Sequence, residues 1–350
     1  MPTLKAQPDS IVTPRQLGLF VHQGVSNSTQ VVPVSDQLPA GIELVYSQVT
    51  MSRRAWASCQ CFARVGGYLN YITFRNPVPL GRTTGAGLFF EPLINYRRSL
   101  YFSVRVLAGL TYLTRVYDPV TNPTNDHFSM PVSALIGAGL TAHYRLSPTW
   151  SLAFGAHYNH ISNAGTRLPN QGMNIPTLAL GAEYQLRRAA FPDARQWAPA
   201  ALTRRWLTRA LLMGSVRVLP ETDKKPEMAL PMVGVNWVGG YCFTRNHALT
   251  AGAEFVDDRY FKEQTYRWGY KDNDARQVTL LAGYEFWQGQ FMFAAHHGWN
   301  IIRPGKYKPA TYQRYNLLYR FRSGLSLGMS VKAYGENTKG FSLMAGYTLL

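Results

Sequence analysis

The chain has 350 residues, with 36 Lys+Arg against 19 Asp+Glu for a net charge of +17, and hydrophobic residues make up 46% of it. Charged residues reach only 16% and aromatics 13%, where a soluble domain carries roughly 25% charged. This excludes a disordered or acidic protein, and the lack of any run of about 18 predominantly apolar residues excludes membrane-spanning helices.

The N-terminus, Met1 to Ser10, has no apolar core of the length a secretory signal needs, so an export signal is not visible in this numbering. Strands are predicted near 17–24, 40–50, 60–74, 83–97 and 99–116. From Ala134 to Leu146 the period is unmistakably two: Ile136, Ala138, Leu140, Ala142, Tyr144 and Leu146 alternate with Gly137, Gly139, Thr141, His143 and Arg145. Leu152, Phe154, Ala156 and Tyr158 continue it, as do Leu178, Leu180, Ala182, Tyr184 and Leu186. One face is greasy and the other small or polar.

Residues 187 to 209 break the pattern, with Arg187, Arg188, Arg195, Arg204, Arg205 and Arg209 opposed only by Asp193. They read as a linker with one helical turn or more. Further strands follow near 209–220, 229–243, 247–257, 275–287, 289–300, 311–321, 324–334 and 339–350.

The expected fold class is therefore all-β: a transmembrane antiparallel β-barrel of the outer-membrane type, with about 14 to 16 strands and aromatic girdles at the strand ends. A soluble β-sandwich, burying the greasy face, is the weaker alternative. The organisation expected is a barrel half over 1–187, a basic linker over 188–208, and additional strands over 209–350. One barrel and two are both open. One is favoured, because open C-terminal edges would need covering.

The three cysteines, Cys59, Cys61 and Cys242, suit neither a zinc knuckle nor a disulfide scaffold and read as structural. The pair His296-His297 would point to opposite faces of a strand, so no metal site is expected. The stretch Tyr266-Arg267-Trp268-Gly269-Tyr270-Lys271 fits a girdle or loop better than a nucleic-acid surface, and no nucleic-acid partner is expected.

The segment that could carry chemistry follows the strand ending Tyr158-Asn159-His160. If that strand runs on, His160 and Ser162 keep the greasy parity and are neighbours on the lipid-facing side. Polar groups there cost a few kcal/mol at mid-bilayer and about nothing at the interface, so they call for a reason. A Ser nucleophile with a His general base is one, with Asn163 or the Gly165 amide to hold an oxyanion. A polar strand end followed by a turn is the other.

The run His160-Ile161-Ser162-Asn163-Ala164-Gly165, then Pro169-Asn170-x-Gly172, resembles the active-site stretch of the PagL-type lipid A 3-O-deacylases, or acyloxyacyl hydrolases. The resemblance covers roughly the first 187 residues and leaves a long C-terminal extension. It implies an outer-membrane β-barrel esterase that removes the 3-position acyl chain of lipid A, without a cofactor. Ser162 would be the nucleophile and His160 the base, with Asn163, Gly165 and Asn170 supporting the oxyanion and the loop. The family's catalytic acid, a Glu, falls by spacing on Asn174. Glu183 has the opposite parity and should face the lumen. The implied partners are lipid A or lipopolysaccharide and outer-membrane lipids, and a homodimer is left open. The rival reading is a non-catalytic outer-membrane barrel, a pore or a structural or lipid-binding protein.

Overall fold

The computed structural model describes residues 13–25, 38–194, 197, 205–270, 274–303, 310–334 and 337–350. The N-terminal stretch Met1 to Ser10, Lys271, and Arg195 and Arg204 of the linker lie outside them. Sixteen strands form two closed eight-stranded barrels.

The first barrel comprises β1 (Arg15–Gly24), β2 (Ala40–Thr50), β3 (Phe62–Asn76), β4 (Gly81–Ile94), β5 (Leu100–Leu113), β6 (Val132–Arg145), β7 (Trp150–Ser162) and β8 (Met173–Arg187), with α1 (Arg53–Cys59) between β2 and β3. Every strand pairs antiparallel with its sequence neighbour, and β1 pairs with β8 to close the ring, Leu19 against Ala182. The second comprises β9 (Trp206–Leu219), β10 (Met228–Cys242), β11 (His247–Asp258), α2 (Arg259–Arg267), β12 (Arg276–Gln288), β13 (Phe291–Ile302), β14 (Thr311–Arg320), β15 (Leu325–Tyr334) and β16 (Asn337–Leu349). It closes by β16 pairing with β9, Leu349 against Thr208.

The expected strand count is met, but the C-terminal strands do not join the first barrel. They cover their own edges by closing on themselves, which removes the need for a shared wall. The second barrel also begins at Trp206, inside the stretch expected to be linker.

Alternation is inverted relative to a soluble protein. In β7, Trp150, Leu152, Phe154 and Tyr158 are outward and exposed, while Ser151, His157 and Asn159 are inward and buried. Such a surface is stable only against lipid, and a sandwich burying its greasy faces is ruled out by the closure. Outward aromatics collect at two levels of the first barrel: Tyr46, Phe102, Tyr144, Trp150 and Tyr184 toward the end carrying its termini, and Tyr71, Tyr112 and Tyr158 toward the other.

Both interiors are filled rather than hollow, as expected for eight strands. In the first, Arg64 bridges Glu91 (2.6 Å) and Glu183 (2.5 Å), Arg105 bridges Glu43 (2.7 Å) and Glu91 (3.2 Å), and His143 Nδ1 meets Glu183 at 2.9 Å. Phe20, Leu107, Leu135, Ile161 and Ile175 belong to the apolar core above this layer. In the second, Arg209 pairs with Glu285 and Arg314 with Glu254, which also accepts from Tyr312 Oη at 2.8 Å. His296 points inward, 2.9 Å from Thr250 Oγ1, while the adjacent His297 stacks edge-on against Trp299, as opposite-face placement requires.

Helix α1 is capped by Ser52 Oγ, which accepts from the Ala55 amide at 3.1 Å, and it lays Trp56 on Phe62 with centroids 5.0 Å apart. Phe191 and Trp197, after β8, join the same aromatic cluster, and Arg97 pairs with Asp193 at 2.7 Å. Phe191, Asp193 and Trp197 of the stretch expected to be a linker thus pack at the terminal end of the first barrel. Cys61 is disulfide-bonded, and Cys242 is free and buried. Tyr266 and Arg267 end α2, where Lys225 lies over the Tyr266 ring at 4.6 Å.

Candidate active site

Strand β7 runs on through Ser162, so the outward parity reaches His160 and Ser162, both half-buried. Each lies beyond Tyr158, at the aromatic level where outward polar groups cost little. Across the register His160 faces Asn174 on β8 and Ile136 on β6, and Ser162 faces Ala134.

His160 Nδ1 lies 2.7 Å from Asn174 Oδ1. A carboxamide oxygen only accepts, so Nδ1 carries the hydrogen and the Nε2 lone pair is left to take a proton. Asn170 grips the serine: its Nδ2 donates to Ser162 Oγ at 3.0 Å, and its Oδ1 accepts from the Asn163 amide at 3.1 Å. The Asn163 carboxamide is turned inward, donating to Ser129 Oγ at 3.0 Å, while its main-chain amide donates to Asn170 beside the serine. Gly165 sits in the turn after β7 with φ +79°, following Ala164 at φ +59°.

Gly172 joins histidine to serine. Its φ is +65°, and a Cβ there would lie 2.9 Å from Ile161 O, 3.1 Å from His160 Cε1 and 3.3 Å from Ser162 Cβ. Both side chains therefore border one point of space, and glycine leaves it vacant. Gly172→Ala combines left-handed strain of about 1 kcal/mol with displacement of the ring and the serine. A misplacement near 1 Å costs up to about 10²-fold. The expected result is a turnover lowered by about tenfold to a hundredfold with the barrel still folded. Initial rates together with the heat-modifiable gel mobility of a folded barrel check it.

The loop between β5 and β6 contributes residues the sequence did not flag. Asn125, fully buried, donates to Pro79 O at 2.8 Å and accepts from the His127 and Phe128 amides, and Asn122 donates to Val116 O at 2.8 Å. The Thr121 and Val120 amides donate to the Asp118 carboxylate and hold its pKa below the usual range. The loop, so ordered, holds the β7–β8 hairpin. His127 Nδ1 donates to Gly172 O at 2.8 Å, the Gly172 amide donates to His127 O at 3.2 Å, and Gln171 binds Asp126 through both its amide and its side chain. The only sequence sign was length: the Asn- and Pro-rich stretch from Asp118 to Asp126 exceeds what a hairpin needs.

Glu183 is inward and buried, committed to Arg64 and His143, and is not part of this constellation. Glu183→Gln leaves Arg64 and His143 short of a counter-charge, and breaking a buried pair costs about 3 kcal/mol or more. The expected outcome is a barrel that unfolds at lower urea but retains its turnover per folded molecule. A matching loss of turnover would place Glu183 in the chemistry instead.

Comparison with known proteins identifies the family. The family model described as lipid A 3-O-deacylase (PagL) matches residues 62–183, and that described as acyloxyacyl hydrolase, C-terminal domain, matches residues 206–350. No curated protein matches the chain. Among solved structures, Neisserial surface protein A is 13% identical, covering 50% of this chain and 97% of its own, with a TM-score of 0.32. A mutant Rh. blastica porin is 11% identical over 96% of this chain and 99% of its own, with a TM-score of 0.17. The TodX deltaS2S3 mutant, a monoaromatic hydrocarbon channel, is 10% identical over 96% and 89%, with a TM-score of 0.18. The two family models together span well over half of the chain, one within each barrel, and the chain belongs to the PagL-type lipid A 3-O-deacylase (acyloxyacyl hydrolase) family.

Proposed function

We propose that this chain is an outer-membrane serine esterase that releases the ester-linked 3-position acyl chain of lipid A. The observation that carries the reading is the hydrogen-bonded pair His160 and Asn174 beside Ser162, all on the outward wall at aromatic-girdle level. A lipid ester lies at that depth, between headgroup and chains. Ser162 Oγ attacks the ester carbonyl while His160 Nε2 takes its proton, and Asn174 Oδ1 keeps the ring in the tautomer this needs. The Asn163 amide is placed to receive the developing oxyanion. His160 then returns the proton to the leaving sugar oxygen, and water, deprotonated by His160 in turn, releases the fatty acid.

Orientation supports the same substrate. The chain enters and leaves the first barrel at the end with the 94–100 and 145–150 turns and the α1 connection 50–62, and the long 113–132 and 162–173 loops lie at the other end together with the short 76–81 turn. Short periplasmic turns and longer external loops are the rule for such barrels, which puts the site beside outer-leaflet lipid. The net charge of +17 suits a phosphate-bearing lipid. The ion-paired side chains filling each barrel count against a pore.

The test is incubation of the detergent-folded protein with purified lipid A, followed by mass spectrometry. Loss of the mass of one hydroxyacyl chain is expected. Intact lipid A after prolonged incubation with folded protein would overturn the reading.

A further inference from the structure

We propose that Arg75, Arg82 and Arg115, at the end of β3, β4 and β5 that carries the 113–132 loop, hold the phosphates of a lipid A molecule that is bound as a companion and not as substrate. The inference goes beyond the proposed function and takes from it only the orientation that sets this end in the outer leaflet. The three arginines stand side by side on neighbouring strands. Thr73 pairs with Arg82 and Asn76 with Gly81, so Arg75 lies in the bulge between them, beside Arg82. On the other side the Arg82 amide donates to Thr114 Oγ1 at 3.0 Å and the Thr114 amide donates to Arg82 O at 3.0 Å, which makes Arg115 the next in the row. All three are exposed, and none makes an ion pair among the described residues. The carboxylates of the same loop are engaged elsewhere: Asp118 accepts from the Val120 and Thr121 amides, and Asp126 from Gln171 Nε2 at 2.8 Å. Like charges on adjoining strands oppose the pairing unless a counter-charge lies among them.

The backbone is bent to keep this row together. Arg75 has φ +53°, a left-handed conformation that residues with a Cβ seldom adopt, and it sits on a bulge, the device by which a strand re-aims a side chain. Gly81 has φ +64°, and a Cβ there would lie 2.9 Å from Arg115 Cγ, so the arginine stem packs where only glycine leaves space. Asn122 and Asn125 both donate to Pro79 O, at 3.1 Å and 2.8 Å, and fasten the 76–81 turn to the loop that follows Arg115. Unpaired guanidinium groups on so fixed a frame suit a phosphate that arrives from outside.

What lies beneath the row says that the phosphate belongs to a lipid. Arg82 has the outward parity, two residues beyond Thr84. Thr84 is flanked by Tyr71 and Tyr112, and Ala86, the next outward residue, by Leu69 and Leu110, all four flanking side chains being exposed. Small residues on β4 thus floor a shallow trough that descends from the arginines, past the aromatic level, along the direction of an acyl chain. A charged head above and a chain below is the form of a phosphorylated lipid, and in the outer leaflet that lipid is lipid A. Strand β4 stands three places from β7 in a ring of eight, so this molecule is not the one that meets Ser162.

The test is native mass spectrometry of the full chain, folded in detergent and titrated in turn with lipid A bearing both phosphates, lipid A stripped of phosphate, and phosphatidylglycerol. The parent is expected to carry one firmly held molecule of phosphorylated lipid A. The triple variant Arg75→Gln, Arg82→Gln, Arg115→Gln is expected to hold it about tenfold to a hundredfold more weakly. Unchanged affinity in that variant, with the gel mobility of a folded barrel, overturns the proposal. Should the triple variant not fold, Arg115→Gln alone, which leaves the bulge untouched, is expected to weaken binding about threefold to tenfold, and no change there overturns it equally. Phosphate-free lipid A held as tightly would assign the binding to the trough alone, and tighter binding of phosphatidylglycerol would assign the site to a glycerophospholipid; either result overturns the proposal. Acyl release is not read in this experiment, so a chain that holds lipid A through these arginines yet frees no fatty acid refutes the proposed function and leaves the lipid site standing.

Discussion

Ser162→Ala is expected to lower acyl release from lipid A by at least about 10³-fold, the largest single effect the site predicts. The hydroxyl is the atom that would form the acyl-enzyme, and nothing else in its immediate geometry can replace it. Asn170 offers only a carboxamide, and His160 is held through Nδ1 by Asn174. The substitution removes one oxygen from a half-buried strand end and leaves the paired backbone of β7 intact, so stability should change by less than about 1 kcal/mol. A folded variant that releases a hydroxyacyl chain at the parental rate would exclude a serine mechanism. His160→Gln should fall nearly as far, because nucleophile and base act as a unit and their losses do not add. A large loss for one with none for the other would break the proposed pairing.

How much of this was legible beforehand follows from the physics of strands. Alternation between Ile136 and Leu146 is written residue by residue, because a one-residue slip would turn every side chain to the wrong solvent. The same parity carried His160 and Ser162 to the outward face and Glu183 inward, where it binds Arg64 and His143. Closure is a different kind of property. Whether β16 returns to β9 or adds to a larger ring depends on pairings such as Leu343 with Gly214, more than a hundred residues apart, and no local sequence feature marks that choice. Two barrels were therefore invisible to periodicity. So was the plug made by Phe191 and Trp197, since an aromatic in a basic, Pro-containing stretch looks alike whether it lies free or packs on Phe62.

The site shows the same division. His160, Ser162 and Asn174 could be placed by parity and spacing because they sit on adjoining strands in fixed register. Ser129, Asp126 and His127 could not, because they reach the hairpin through an irregular loop whose path is set by the buried carboxamides of Asn122 and Asn125. A long external loop in a barrel is ordinarily free to vary. This one is tied to the Gly172 peptide from both sides, and Gly172 in turn leaves room for His160 and Ser162. Rigid strands thus set the direction of His160 and Ser162, and the loop sets the gap between them.

Asn174→Asp is expected to raise turnover by about tenfold to a hundredfold. Asp is isosteric with Asn, so the oxygen now 2.7 Å from His160 Nδ1 stays in place and acquires a negative charge. That charge stabilises the imidazolium formed as Ser162 attacks, which a neutral carboxamide does only weakly. In serine proteases the reverse change lowers the rate by about 10⁴-fold, largely because the amide there holds the imidazole in the wrong tautomer. Here Oδ1 already faces the Nδ1 hydrogen and the tautomer is right, so only the electrostatic part is left to gain. Asn174→Ala removes the orienting hydrogen bond as well and should fall about tenfold below the parent. Initial rates of hydroxyacyl release from lipid A, measured on protein of equal folded fraction, order the three as Asp above Asn above Ala. Equal rates for all three would mean that position 174 does not act through His160 and that another group orients the base.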